Sequence, residues 1–163
     1  FLKQQLQSLA REWATYKGAL VLLDAAKQKF EKTRQPGVIR SAEKLFSQIT
    51  GGSYHRIIKP IDQDDLLIEN DRHERKGVLE MSRGTRQQLY LAMRFGLINE
   101  YETHAEPLPA VMDDIFVNFD DERDERIIKI LSQFSKQRQV IVFTCHQRSL
   151  EAYKNIGATP ITV

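Results

Sequence analysis

Two apolar stretches of the chain end in side chains that can bind a metal ion or a phosphate. "PAVMD" runs into Asp113 and Asp114, and "QVIVFTCH" ends at His146. If these stretches are neighbouring parallel strands, their carboxyl ends share one edge of a sheet, and the three side chains face one crevice. A magnesium ion often combines one protein carboxylate with phosphate oxygens. A second carboxylate can orient an attacking water, and a histidine can polarise a terminal phosphate.

A second motif favours this chemistry over a purely structural interpretation. Asp113 and Asp114 could instead cap the next helix and His146 another, because acidic residues are favoured at helix N-termini. However, "MSRGTRQQ" begins a predicted helix with Ser82 and Gly84. A hydroxyl and free backbone amides at the positive end of a helix form an anion site. Ser and Gly can also be a simple cap, so the weight lies in the order of the motifs.

The spacing of apolar residues predicts two helices before these motifs. From Leu2 to Phe30 the apolar residues alternate at intervals of four and three, with one interruption at Lys27. This heptad seam is typical of a coiled coil, and equally of an amphipathic helix lying on a domain. "RQPGV" ends the segment. A second helix stops at Gly51 and Gly52, and its apolar face comprises Val38, Ala42, Leu45, Phe46 and Ile49.

The rest of the chain predicts an α/β fold. Residues 53–80 indicate an antiparallel meander of three short strands, "SYHRIIKPI", "DLLIEN" and "GVLEM". A helix over 82–102 and the strand "PAVMD" follow. Next come a helix over about 121–135, the strand "QVIVFTCH", a helix over 147–154 and a final strand "TPITV". Alternating strands and helices predict a parallel sheet with crossover helices.

Composition excludes several classes of protein. There are 24 Lys and Arg residues against 22 Asp and Glu, so the chain has no global basic field of a dedicated nucleic-acid binder. The single Cys145 excludes an internal disulfide and fits a reducing compartment, so we expect a cytoplasmic protein. We expect neither a membrane span nor a signal peptide. A chain that begins with Phe1 suggests a piece of something longer.

Three further histidines show no spacing typical of a metal site. His55, His73 and His104 have neither cysteines nor one another at ligand intervals. We therefore predict surface or strand histidines at these positions.

In this order, the motifs resemble the C-terminal lobe of an ABC-type ATPase head. The resemblance is to the SMC and SbcC-like coiled-coil chromosome and repair ATPases, and most closely to the YhaN-type bacterial ATPases, whose signature runs L-S-x-G-T-x-x-Q-L-Y-L-A. It covers about residues 78–148. It implies that residues 1–34 are the end of a coiled-coil helix. Residues 35–163 would then form the lobe, a parallel sheet with crossover helices plus small antiparallel strands.

The resemblance gives the start of the third helix a role in ATP binding. Ser82 and Gly84 would contact the terminal phosphate of an ATP molecule held by a second head. Arg83, between them, could touch phosphate or pair with acids across an interface, and the sequence does not decide which. Met81, Arg83 and Thr85 replace the Leu, Gly and Gln or Glu of the commonest signature. These departures agree with the YhaN-type pattern and make a transporter subunit a weaker alternative.

The resemblance also gives roles to the acidic residues and the histidine. Asp113 would be the Walker B aspartate, which supports Mg²⁺ through water. Asp114 takes the place of the usual catalytic glutamate and is one methylene shorter, which could slow hydrolysis. Asp120 would be the D-loop aspartate that communicates across the dimer, and His146 the switch histidine.

The chain lacks the other half of such a site. No glycine is followed by the spacing G-x-x-x-x-G-K-[ST], and no glutamine loop can be identified. In the resembled family both belong to an N-terminal lobe, across the coiled coil. The resemblance therefore implies that the chain alone is inactive and needs that lobe, ATP, Mg²⁺ and a second identical head. It further implies a nuclease subunit and DNA as partners.

Two alternatives of other classes stay open. The three aspartates and His146 could form a self-contained metal-dependent phosphohydrolase or nuclease, which would be active without any other lobe. The chain could also be a non-catalytic scaffold that dimerises through its coiled coil. In that case Asp114→Asn would have no consequence in the full-length protein.

Overall fold

The first helix presents its apolar seam to solvent. In the computed structural model, which describes residues 2–33, 36–60, 63–114 and 121–161, helix α1 spans Leu2–Thr33. No described helix is long and apolar enough to cross a bilayer. The sequence predicts this helix. The large apolar residues of its described seam are each more than half exposed: Leu6, Leu9, Trp13, Tyr16, Leu20 and Leu23. The described part of the chain therefore does not cover this seam.

Helices α2 (Gly37–Ile49) and α3 (Arg83–Tyr101) pack together and form much of the core. The buried face of α2 differs slightly from the predicted one, because Ile39 is buried while Val38 and Leu45 are only partly so. At Gly96 the helices approach closely, and a Cβ there would lie 2.6 Å from the carbonyl oxygen of Val38. The close approach requires glycine at this crossing.

The antiparallel meander is present, but its third strand lies earlier than predicted. Strands β1 (Tyr54–Ile58), β2 (Leu67–Asn70) and β3 (Arg75–Gly77) pair in chain order. The stretch "GVLEM" was expected to be a strand, yet Val78–Glu80 forms a 3₁₀ helix. The reason is local: the Glu80 carboxylate accepts a hydrogen bond from the Gly77 amide at 3.3 Å and closes a turn.

The second sheet is parallel, as predicted. Strands β4 (Ala110–Asp113) and β5 (Val140–Phe143) pair in register, and α4 (Asp121–Phe134) lies between them in the chain. Helix α5 (Gln147–Asn155) follows β5. The predicted final strand "TPITV" is wrong over its described residues, since 159–161 form no strand. Pro160 lacks an amide donor, and no described strand pairs with this segment.

The core joins the helices to the second sheet. The Phe95 and Phe134 rings lie 4.6 Å apart between centroids and connect α3 to α4. A buried ion pair between Glu102 and Arg138 connects the end of α3 to the segment before β5, and the Arg138 guanidinium stacks on Phe134 at 3.6 Å. The inward-facing residues of β4 and β5, Ala110, Met112, Val140 and Val142, pack against the same core.

Candidate functional site

The parallel pairing brings the ends of β4 and β5 to the same edge. Asp113 lies opposite Phe143 in the register, and the backbone amide of Asp114 donates to the carbonyl of Phe143 at 3.0 Å. The pairing thus continues one residue past β4. As a result, Asp114 lies beside the segment that follows β5, which contains Cys145 and His146.

Asp114 is the centre of this edge. Its Oδ2 accepts a hydrogen bond from Cys145 Sγ at 3.4 Å and lies 4.0 Å from His146 Nε2. The side chains are partly exposed, at 30% for Asp114 and 50% for His146, so the crevice is open to a ligand. The backbone of Asp114 has φ +41°, a conformation that non-glycine residues rarely adopt. Such strain is found at functional sites more often than elsewhere.

The surroundings keep Asp114 ionised. A hydrogen bond with the Thr144 hydroxyl is the main cause that lowers the pKa of Asp114. Partial burial opposes this shift, while the Cys145 thiol and the His146 imidazole add to it. In turn, the hydrogen bond and the negative charge of Asp114 raise the pKa of Cys145. Asp114 is therefore a carboxylate at neutral pH, and its neighbour is a neutral thiol.

The geometry does not support a purely capping role for His146. For Asp113 and Asp114 that role stays open, because residues 115–120, between them and Asp121 of α4, lie outside the described residues. His146 occupies the N-cap position of α5, but its side chain makes no capping hydrogen bond. Its backbone amide instead donates to Thr144 Oγ1 at 3.1 Å. The predicted D-loop residue, Asp120, lies outside the described residues.

Helix α5 is held in place by contacts that sequence reasoning missed. Arg148 forms an ion pair with Asp124 of α4 at 3.2 Å. Tyr153 is a buried residue of α5, and its pKa is raised by that burial and by the charges of Asp114 and Asp124. These contacts join residues distant in sequence, so no local sequence pattern predicts them. They fix the helix that starts at His146.

The start of α3 has the geometry of an anion site. Ser82 is the N-cap, and its Oγ accepts a hydrogen bond from the Thr85 amide at 3.2 Å. The Ser82 and Thr85 hydroxyls also bond to each other at 2.8 Å. If Thr85 donates in that bond, the Ser82 proton is available to a ligand. The amides of Arg83 and Gly84 lie in the first helical turn, where no carbonyl of the helix can pair with them.

The structure does not join this loop to the Asp114 cluster. Within the described segments, no hydrogen bond or ion pair links Ser82, Arg83 or Gly84 to Asp114 or His146. The described contacts therefore do not join the two groups of candidate residues.

The residues at the end of β4 fit a hard cation. Asp113 is exposed, and its carboxylate adds oxygen donors beside Asp114. The Oδ1 atom of Asp114 is shielded from solvent, and no group among the described residues completes a hydrogen bond to it. Oxygen donors of this kind suit Mg²⁺, which binds through one or two carboxylates together with water and phosphate.

One curated relative combines significant identity with almost complete coverage of the chain. The uncharacterised protein YhaN of Bacillus subtilis (strain 168) is 29% identical over 152 residues, which is 93% of this chain and 16% of YhaN. The chain therefore spans about a sixth of that relative. No family model matches the chain.

Solved structures with the same fold are SMC head domains. One chain, from work on ATP-driven dimerization and DNA stimulated activation of SMC ATPases, has a TM-score of 0.59 at 22% identity, and the match covers 77% of each chain. The Smc head of Pyrococcus furiosus, with an extended coiled coil and bound to the C-terminal domain of ScpA, has a TM-score of 0.56 at 18% identity. That match covers 91% of this chain and 39% of the other. The expected resemblance is confirmed, and the chain has the fold of the C-terminal lobe of an SMC-type ATPase head.

Proposed function

We propose that this chain is one half of an ABC-type ATPase head, which binds and hydrolyses ATP once the other half is present. The observation that carries the proposal is the parallel pairing of β4 and β5, with the Asp114 carboxylate 4.0 Å from His146 Nε2 and Asp113 next to Asp114 in the chain. The fold is that of an SMC-type head lobe, and the chain has no phosphate-binding loop of its own. The site is therefore complete only with a second lobe.

Each residue at the end of β4 and β5 has a separate task in this proposal. Bound Mg²⁺ would neutralise charge on the phosphates of ATP. Asp113 would hold a water of the ion, and Asp114, which is ionised, would orient the attacking water. His146, at the N-cap of α5, would donate a hydrogen bond to the terminal phosphate. Asp120 takes the part of the D-loop aspartate between heads.

The start of α3 would bind the nucleotide of the second head. Ser82 offers a hydroxyl proton, and the amides of Arg83 and Gly84 lie in the first turn of α3, at the positive end of the helix. The Arg83 side chain is exposed and can reach a phosphate as a cation. This use would explain why no described contact joins the loop to Asp114 in one copy of the chain.

The open face of the second sheet supports a missing lobe. Val111, Ile141 and Phe143 point away from the core, and their side chains are 64%, 39% and 53% exposed. Parallel sheets are normally covered on both faces. Because the chain spans 16% of YhaN, most of such a protein lies elsewhere. We assign this face to the N-terminal lobe of the same protein.

The exposed seam of α1 supports a coiled coil. Its heptad spacing and its exposure leave an apolar stripe that a second helix would cover. Residues 1–34 would then be the last turns of the coiled coil that separates the two lobes. From the resemblance, we extend the proposal to a homodimer of heads that moves this coiled coil and processes DNA ends, or repairs double-strand breaks, with a nuclease subunit.

The test is magnesium-dependent ATP hydrolysis by the chain alone and by a fusion of the chain to its N-terminal lobe. We expect activity only in the fusion, and we expect Asp114→Asn to abolish it. Asp65→Asn, which changes an exposed acid on the β1–β2 connection, is the matched control and should keep full activity. An active fusion with an inactive Asp114→Asn variant would establish the split head.

A second candidate function rests on the cluster of Asp114, Cys145 and His146. One ligand atom from each side chain lies within 4.8 Å of the other two, so a single transition-metal ion could bind all three. A self-contained metallohydrolase would be active as the chain alone and without nucleotide. A fusion with no turnover in any variant would point to the scaffold instead.

A further inference from the structure

Two histidines far apart in sequence meet on one carboxylate oxygen. His55 Nε2 lies 3.2 Å from Glu69 Oε1, and His73 Nδ1 lies 3.3 Å from the same atom. The two imidazole rings are perpendicular, with centroids 5.4 Å apart. One ligand atom from each of the three side chains lies within 4.8 Å of the other two. This cluster is on the small antiparallel sheet and includes none of the residues proposed to bind ATP.

Two local irregularities of the backbone produce the convergence. The pairing of β1 with β2 shifts between Tyr54 and Arg56, so His55 is the extra residue of a β-bulge. His73 lies in the turn between β2 and β3 with φ +61°. Bulges redirect side chains and are frequent beside functional sites. A left-handed backbone at a non-glycine residue is similarly enriched there. Both irregularities direct an imidazole to Glu69.

The turn that carries His73 is held rigid by Asn70. The Asn70 Oδ1 atom accepts hydrogen bonds from the amides of Arg72 at 3.0 Å and Glu74 at 2.9 Å. Its Nδ2 donates to the Glu74 carboxylate at 2.8 Å, and the His73 amide donates to the Asn70 carbonyl at 3.0 Å. His73 is thus positioned before any ligand arrives, which lowers the entropy lost on binding.

Glu69 is a buried carboxylate with a fixed orientation. The residue is only 5% exposed, and Arg75 Nε donates to its Oε2 at 3.0 Å. Burial alone would raise its pKa, but the hydrogen bonds from Arg75 and His73 and the charges of Arg56 and Arg75 lower the pKa below the ordinary value. Oε2 is therefore committed to Arg75, and Oε1 faces the two imidazoles.

We infer that His55, Glu69 and His73 form a binding site for a divalent transition metal, with Zn²⁺ as the best fit. Zinc binds imidazole nitrogen and carboxylate oxygen at about 2.0–2.2 Å in tetrahedral sites, so neighbouring ligand atoms lie roughly 3.3 Å apart. The two distances from imidazole nitrogen to the Glu69 Oε1 atom, 3.2 and 3.3 Å, match this separation between neighbouring ligand atoms. Two histidines and one glutamate leave the fourth position to water or to a small ligand.

Access and charge are compatible with this ion. The His73 side chain is 80% exposed and that of His55 is 32% exposed, so solvent reaches the imidazole side of the cluster. Arg75 contacts the oxygen that does not face the imidazoles, as outer partners of metal-binding carboxylates commonly do. Its positive charge opposes the cation, so we expect a weaker site than one with an unpaired carboxylate.

The test is binding of Zn²⁺ and Co²⁺ to the full-length protein, purified with chelator and then dialysed. Isothermal titration gives the Zn²⁺ stoichiometry, and the visible spectrum of Co²⁺ reports tetrahedral coordination. His55→Ala and His73→Ala remove one ligand each, and His104→Ala removes an exposed histidine outside the cluster. His146→Ala removes a ligand of the other candidate cluster, which also contains Cys145.

We expect one Zn²⁺ per chain at this site, with affinity reduced at least about tenfold in His55→Ala and in His73→Ala. His104→Ala and His146→Ala should leave this binding event unchanged. His73 is in an exposed turn, so its variant should fold, and circular dichroism of the metal-free variants checks this. Equal Zn²⁺ affinity in the wild type, His55→Ala and His73→Ala would overturn the inference, as would the absence of binding to the wild type.

Discussion

The crossing of α2 and α3 gives a prediction with a magnitude that the geometry sets. A Cβ added at Gly96 would lie 2.6 Å from the Val38 carbonyl oxygen, 2.8 Å from the Ala42 amide nitrogen and 2.9 Å from the Ala42 Cβ. None of these atoms can rotate away, so Gly96→Ala must push the helices apart. Overpacking costs about 1–3 kcal/mol, and we take the upper end because the contacts are with backbone. Alanine returns about 1 kcal/mol through helix propensity.

The net loss is about 2 kcal/mol, which for a chain of this size lowers Tm by about 4–8 °C. Thermal unfolding followed by circular dichroism measures this. Gly18→Ala is the matched control, since it lies inside α1 with no atom within 4 Å of its added Cβ. That variant should not lower Tm. If Gly96→Ala unfolds at the same temperature as the wild type, or above it, the close approach of the two helices is wrong.

Three further predictions follow from buried or coupled charges. Glu102→Ala leaves the Arg138 charge buried without its partner, so urea unfolding should show a free energy of unfolding lower by about 3 kcal/mol. The double variant Glu102→Leu and Arg138→Met removes both charges and should lose much less stability. With chelator present, wild type should be more stable than Glu69→Gln, and the difference in their free energies of unfolding should be largest at neutral pH. Because the folded-state pKa of Glu69 lies below its ordinary value of 4.5, that advantage should be complete above this pH and disappear as the pH falls through the lowered pKa. Asp114→Asn should make the single Cys145 react severalfold faster with iodoacetamide at pH 8, because the Asp114 charge raises the pKa of the thiol. An equal alkylation rate would contradict the contact between them.

Much of the fold was predictable because its signals are local. Apolar residues at helical spacing give α2 and α3, and two apolar runs with a charged helix between them give α4 and the parallel pair β4 and β5. The errors have equally local causes. "GVLEM" looks like a strand, but Glu80 closes a turn on Gly77. "TPITV" has strand composition, but composition cannot supply a neighbouring strand.

The candidate site was predictable only in part, because its residues meet through pairing. The sequence predicts that Asp114 and His146 follow two apolar strands and share one edge if those strands are parallel neighbours, whereas the register that sets their distance comes from the structure. The contacts of Arg148 with Asp124 and the burial of Tyr153 depend on how α5 packs on α4, and no local pattern encodes that. His55 and His73 gave no metal-ligand spacing, because a bulge and a left-handed turn, rather than a regular interval, bring them together.

The open face of the second sheet and the predicted magnesium site are physically coupled. Asp113 is the last residue of β4 and shares its exposed face with Val111, opposite Phe143. A lobe that covers Val111 and Phe143 would also exclude water from the side of Asp113 nearest to them. Attraction between a carboxylate and a cation strengthens as the surrounding dielectric constant falls. In the proposed split head, docking of the N-terminal lobe would therefore strengthen Mg²⁺ binding as well as add a phosphate loop, and the lobe that buries the apolar face would also complete the proposed catalytic site.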